Sequence, residues 1–193
     1  QAAARDRGEA WRIGRLSGSS SHLMPTLPRN SIVLAIDPTS RGFAFAVLEA
    51  PAFLLDWGSK SARGSGGVVR KVDELLSRYK PDVLLLEDLA AKGARRRKRA
   101  RREIGSIERH ALKRGVRVER VSRVGVLNTF APEKSKYEVA LRLAEVFPVL
   151  ANRLPRKRNT WRPEEARMSV FDALGFARVF EERTATAFER GDW

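Results

Sequence analysis

Two short apolar runs, each closed by a carboxylate, constrain this chain more than any other feature. Ile32-Val33-Leu34-Ala35-Ile36-Asp37, stopped by Pro38, and Val83-Leu84-Leu85-Leu86-Glu87, followed by Asp88, are aliphatic and partly β-branched throughout. Runs so short and so apolar read as strands covered on both faces, as in a sheet with helices on either side. Side chains alternate along a strand, so Asp37 shares a face with Val33 and Ala35, and Glu87 with Val83 and Leu85. Each acid therefore continues an apolar row, where an ionised group needs compensation.

The intervening segments order the rest of an α/β domain. The turn from Pro38 to Arg41 leads into Phe43-Ala44-Phe45-Ala46-Val47-Leu48, a second strand that so short a connection can pair only antiparallel to the first. A third strand is expected across Ala52 to Trp57. Gly64, Gly66 and Gly67 then break the sheet, and Val68, Val72, Leu75, Leu76 and Tyr79 share one face of a crossover helix expected over Val68 to Tyr79. After the second acidic strand, a basic helix is expected from about Lys92 to Lys113, with Ile104, Ile107, Ala111 and Leu112 as its core stripe and Gly115 at its end. Val116, Val118 and Val121 mark a fifth strand. Two more helices are expected, one near Lys136 to Leu150 and one from Pro163 to about Glu182. The first and fourth strands become parallel neighbours, with their acids side by side at the carboxyl edge, where open α/β sheets place their ligand crevice.

With 193 residues, 42% of them hydrophobic, the chain supports one domain, expected over residues 31–183. Residues 1–30 are arginine-rich, carry the Ser-Gly stretch Ser17 to Ser21 and lack a sustained period, which reads as a flexible basic arm; residues 184–193 read as a tail. The chain opens on Gln1, which points to a trimmed polypeptide.

Thirty-eight basic residues against 23 acids give a formal charge of +15, which favours a polyanionic partner, nucleic acid above all. No apolar run approaches the roughly 20 residues of a spanning helix, so no membrane partner is expected and the cytoplasm, or the nucleoid in a bacterium, is the expected location. The absence of cysteine excludes disulfides, zinc-thiolate sites and cysteine nucleophiles. His22 and His110 have no histidine neighbour at ligand spacing, leaving hard, oxygen-ligated metals as the plausible kind.

A third acid, Asp172, lies in Met168-Ser169-Val170-Phe171-Asp172-Ala173-Leu174-Gly175-Phe176-Ala177, where Met168, Ser169, Gly175, Phe176 and Val179 are its neighbours on one helical face. Three carboxylates stranded in apolar rows would be relieved together by converging on divalent cations. Two-metal phosphodiester hydrolysis uses that kind of site, and needs neither histidine nor cysteine. Singly, each acid has a plainer reading: Asp37 as a turn former before Pro38, Glu87 and Asp172 as ion-pair partners of the abundant arginines.

Taken together the motifs resemble the RuvC-type Holliday junction resolvases of the ribonuclease H-like superfamily. Ile36-Asp37-Pro38-Thr39-Ser40-Arg41-Gly42-Phe43-Ala44 is similar to the family's opening motif, and Leu84 to Leu89 to its second acidic strand. Arg102 to Val121 resembles its long helix and following strand, Lys136-Tyr137-Glu138-Val139 its Lys-x-x-Val helix start, and Phe171 to Ala177 its terminal Asp-Ala-Leu motif. The resemblance implies a ribonuclease H-like mixed five-stranded sheet in the order 3-2-1-4-5 with strand 2 antiparallel. It also implies a Mg2+- or Mn2+-dependent endonuclease with two ions held by Asp37, Glu87 and Asp172, no small-molecule cofactor, and a homodimer acting on branched DNA. The chain departs from the pattern in several places. Ser169 stands where an acid or histidine is usual, so the fourth metal-site group is either missing or supplied by Glu165, one helical turn earlier, with Asp88 as another spare acid. Ala90 stands at the position of an aromatic wedge, and a glycine-rich loop has become Thr129-Phe130-Ala131-Pro132-Glu133, in which Phe130 is a candidate replacement wedge or a loop-packing residue.

Arg95, Arg96, Arg97, Lys98, Arg99, Arg101 and Arg102 follow the Glu87 strand and are expected to grip phosphates without reading bases. Arg156, Lys157 and Arg158, with Trp161 behind them, form a second candidate contact. Lys134 and Lys136, at a helix start near the expected catalytic edge, are assigned to the scissile or flanking phosphates. A ribonuclease acting on RNA or RNA/DNA hybrids and a non-catalytic nucleic-acid clamp are the alternatives. A sugar-kinase-like ATPase is disfavoured, because it needs a duplicated domain.

Overall fold

A computed structural model of the chain describes residues 30–50, 53–94, 96–157 and 166–190. The expectations for the arm before residue 30, Arg95, Arg158, Trp161, the helix start at Pro163, Glu165 and residues 191–193 fall outside these. Three strands come first: β1 (Ile32–Thr39), β2 (Gly42–Glu49) and β3 (Phe53–Ser61). Helix α1 (Gly64–Tyr79), strand β4 (Val83–Glu87), helix α2 (Lys98–Lys113) and strand β5 (Arg117–Val121) follow. The chain continues through helices α3 (Arg123–Thr129) and α4 (Lys136–Val146), a 3-10 turn (Pro148–Arg153) and α5 (Met168–Arg190). The sheet has the expected order β3-β2-β1-β4-β5, with β2 antiparallel to both neighbours and β1, β4 and β5 parallel.

Period-two alternation divides the core in two. Val33 and Ala35 of β1, Ala44, Ala46 and Leu48 of β2, and Val83 and Leu85 of β4 pack with α4 and α5. Leu34 and Ile36, Phe43, Phe45 and Val47, and Leu84 and Leu86 face the other way, onto α1 and α2. The alanines on the first face and Ala173, Gly175 and Ala177 of α5 let that helix lie close to the sheet. Gly175 is also where α3 crosses α5, and a Cβ there would stand 2.8 Å from Val126. Gly42 has a left-handed φ of 145°, and a Cβ on it would meet the Lys60 carbonyl oxygen at 2.0 Å; the turn that follows Asp37 is thereby pressed onto β3.

Several boundaries differ from expectation. Pro38 does not end β1, which runs to Thr39 opposite β2; the β1–β4 ladder covers only Val33 to Ala35, so the missing N–H disrupts no bond on that side. Helix α1 starts at Gly64, its glycines forming the first turn where a break was expected. Helix α2 starts at Lys98, six residues later than its basic composition suggested. Leu112 is 56% exposed and does not belong to the core stripe, because one further residue rotates it about 100° past Ala111. Val118 packs with α1 and α2 while Val121 faces α4 and α5, since their spacing of three places them on opposite faces. The 3-10 turn replaces the expected last turn of α4, α5 extends past Glu182 to Arg190, and α3 was not anticipated. Among the described residues no helix is long and apolar enough to cross a membrane.

Glu181 of α5 is buried against Arg178 (2.6 Å), while its other oxygen has no hydrogen-bond partner among the described residues. Burial pushes this carboxyl up to about 7 from an ordinary 4.5, against the pull of Arg178. The folded chain thus holds this proton more tightly than the unfolded one, and stability falls as pH rises between 4.5 and 7. Glu181→Gln is expected to flatten that slope in urea titrations and to raise stability at pH 8 by about 2 kcal/mol; an unchanged slope would contradict the assignment.

Candidate active site

The ends of β1, β4 and β5 form one rim of the sheet, and two acids stand on it. Asp37 and Glu87 are each 1% exposed and project to the α5 side, in line with the apolar rows they continue. Helix α5 crosses that face and brings in Asp172, 11% exposed at its carboxylate. The three expected acids therefore meet, from β1, β4 and α5.

A residue absent from the expectations joins them. Strand β5 ends at Val121, and the Ser122 hydroxyl accepts a hydrogen bond from the Gly125 amide (2.9 Å), capping α3. That abrupt strand-to-helix change places Arg123 over the rim. Its guanidinium donates to Asp37 Oδ1 and Glu87 Oε1 and forms an ion pair with Asp172 Oδ1, each at 2.9 Å, and lies 5.7 Å from the centroid of the Phe176 ring. Arg96 reaches back from the basic run to donate to both Asp37 and Glu87, and also to the Pro38 carbonyl (3.2 Å). Lys136, set at the first turn of α4 by a capping box of Ser135 and Glu138, donates to Asp172 Oδ2 at 3.0 Å. Three carboxylates and three cations thus neutralise one another.

Compensation is uneven within this cluster. Burial first, then the charge of Asp172, push Asp37 up to about 6, although Arg96 and Arg123 pull the other way. Burial works against the charge of Arg123, but Asp172, Asp37 and Glu87 outweigh it and hold the guanidinium firmly protonated. Beside the cluster lies a cavity of about 60 Å3 bounded by Arg123, Lys136, Asp172, Met168 and Phe171.

The acids form a hard oxygen donor set, chemically suited to Mg2+ or Mn2+. The Arg123 guanidinium stands among them, paired with all three. Coordination requires Arg123 and Arg96 to withdraw. The plainer reading of Glu87 and Asp172 as partners of arginine and lysine is thus also present in the structure.

Other candidates lie apart from this centre. Asp88 Oδ1 accepts from the Ala90 amide (2.9 Å). Phe130 is half-buried at the end of α3 and packs against the α4–α5 core. Arg99 pairs with buried Glu103 (2.9 Å), while Arg97, Lys98, Arg101, Arg102, Lys134, Arg156 and Lys157 are exposed. Among the described residues of the basic run, Arg96 is the one that turns onto the acids, which composition could not single out among identical neighbours.

Removing Arg123 should cost far more than removing one acid. Arg123→Met leaves three carboxylates under-compensated and is expected to lower unfolding free energy by about 3 kcal/mol in metal-free urea titrations at pH 8. Asp37→Asn, which deletes a charge the fold already disfavours, should cost less than a third of that or stabilise the chain. Equal losses would show that Arg123 does not hold the cluster together.

No family model and no curated protein sequence matches the chain. Solved structures do. RuvC of T. thermophilus in complex with a Holliday junction substrate superposes with a TM-score of 0.58 at 21% identity, over 81% of this chain and 97% of that one. The yeast mitochondrial Holliday junction resolvase Ydc2 gives a TM-score of 0.56 at 14% identity, over 86% and 84%. Fowlpox virus resolvase in complex with Holliday junction DNA gives 0.50 at 15% identity, over 79% and 99%. Strand order, helix placement and these likenesses agree: the chain has the ribonuclease H-like fold found in RuvC and other Holliday junction resolvases.

Proposed function

We propose that this chain is a structure-selective endonuclease that hydrolyses phosphodiester bonds in branched DNA, with Asp37, Glu87 and Asp172 as its acidic centre. The observation that carries the proposal is the convergence of these three acids, from β1, β4 and α5, at the carboxyl rim of the sheet. Two similar folds were solved holding Holliday junction DNA, and the formal charge of +15 suits the same polyanion.

The three carboxylates would hold Mg2+ or Mn2+, two ions in the full arrangement, which when bound supply an activated water and charge stabilisation at the departing oxygen. Buried Asp37 and Glu87 fix the donor geometry, being set by strands and not by loops. Arg123 and Arg96, once released from the acids, are placed to meet the incoming phosphate, so the same cations serve both states. Lys136 stands at the amino end of α4, where backbone amides add to its attraction for a phosphate oxygen. The exposed residues Arg97 to Arg102 and Arg156 to Lys157 hold flanking backbone without reading bases. A homodimer cutting two strands symmetrically, at work in the cytoplasm or on a bacterial nucleoid, completes the proposal.

One observation favours a second reading. Arg123 bonds all three acids, and if it never withdraws the chain is a nucleic-acid clamp without hydrolytic activity.

An end-labelled four-way junction, a matched duplex, an RNA/DNA hybrid and a single strand, incubated with and without Mg2+ or Mn2+, test the proposal. The junction is expected to be cut preferentially and only with the ion, and Asp37→Asn is expected to reduce cutting more than about 100-fold. Cutting retained by Asp37→Asn would refute the proposed centre. Binding without any cutting would establish the clamp.

A further inference from the structure

The side of the sheet opposite the acids carries a second concentration of positive charge. The β1–β2 turn, the end of β3, the first turn of α1 and the start of α2 enclose a groove of about 880 Å3. Arg41, Arg63, Arg70, Lys71 and Arg99 line it, and no aspartate or glutamate does. Two of these cations have partners elsewhere, Lys71 on Glu74 and Arg99 on Glu103, both at 2.9 Å. The side chains of Arg41, Arg63 and Arg70 are exposed and make no hydrogen bond or ion pair among the described residues. Three guanidiniums around one groove, without an ion-pair partner among the described residues, repel each other, a cost that a polyanion would offset. Ser40 and Ser61 add hydroxyl groups to its wall. The first turn of α1, whose Gly64 and Gly67 line the groove, contains no acid, and its N-cap Arg63 makes no side-chain capping bond.

The groove is tied to the acidic centre by chain geometry. Ser40 and Arg41 follow Asp37 by three and four residues around the rim, and Arg99, in the first turn of α2, comes three residues after Arg96, which itself bonds Asp37 and Glu87. Ser40 and Arg41, which line the groove, thus belong to the turn that directly follows the strand carrying Asp37.

We propose that this groove binds the sugar–phosphate backbone of the DNA arm leading away from the acidic centre, as a second, sequence-independent phosphate track on the α1–α2 side of the sheet. The assignment rests on the reading of the chain as a DNA-binding nuclease. It adds Arg41, Arg63 and Arg70, none of which belongs to the basic runs after β4 or before α5.

The test is fluorescence anisotropy with a labelled four-way junction in EDTA across a salt series, using the full chain. The triple variant Arg41→Ala/Arg63→Ala/Arg70→Ala is compared with wild type and with a charge-matched control, Arg78→Ala/Arg109→Ala/Lys113→Ala, at the far ends of α1 and α2. All six side chains are exposed, so melting temperatures should stay close to wild type. The groove variant is expected to bind at least about tenfold more weakly at a fixed salt concentration. Its slope of log K against log salt should fall by two to three, at about 0.9 per lost phosphate contact, while the control stays within about twofold of wild type. Wild-type binding with the groove variant equal to the control overturns the groove and leaves the acidic centre standing. A wild type that binds neither branched nor linear DNA overturns both.

Discussion

Everything at the rim of this sheet depends on one guanidinium bonded by three carboxylates. Arg123 meets Asp37, Glu87 and Asp172 at the same 2.9 Å, in a place where two of the acids are almost wholly removed from water. Without compensation that arrangement would be untenable, since desolvation and mutual repulsion both oppose ionisation. Arg96 and Lys136 complete the balance from two further elements. The result is a formally neutral but highly polar cluster built from groups that all have affinity for metal or phosphate. The proposed function asks of this cluster an exchange of partners, guanidinium to phosphate and carboxylate to cation.

The fold supplies the rigidity that exchange requires. Asp37 and Glu87 sit at the ends of adjacent parallel strands whose inward rows are fully buried, and Asp172 is carried by a long helix lying on small residues of β1 and β2. None of the three acids depends on a loop for its position. The cations come from the starts of helices: Arg96 precedes α2, Arg123 opens the short helix α3, and Lys136 opens α4.

Much of this was legible in the sequence, and the reasons are physical. A carboxylate that continues an apolar row is an anomaly visible without coordinates, and Asp37, Glu87 and Asp172 each met that description. Strand order followed from the short turn between β1 and β2 and from the motif resemblance. Arg123 was not legible, because α3 is only seven residues long and its short apolar stretch merges with the end of β5. Its one available signal was Ser122, an N-cap residue directly after a strand. Arg96 was hidden differently, inside a run of like residues in which only the three-dimensional path distinguishes the one that turns inward. The onset of α2 was misplaced because arginine and lysine favour helix equally in the turn and in the helix itself, and the groove at the start of α1 went unseen because its arginines come from three separate segments.

A crystal structure determined after soaking with Mn2+, with data collected for anomalous scattering, tests the central claim most directly. An anomalous peak within coordination distance of Asp37, Glu87 and Asp172, with the Arg123 guanidinium displaced from between them, is the expected result. Arg123 still bonded to all three carboxylates at saturating Mn2+, with no peak at the rim, would contradict it.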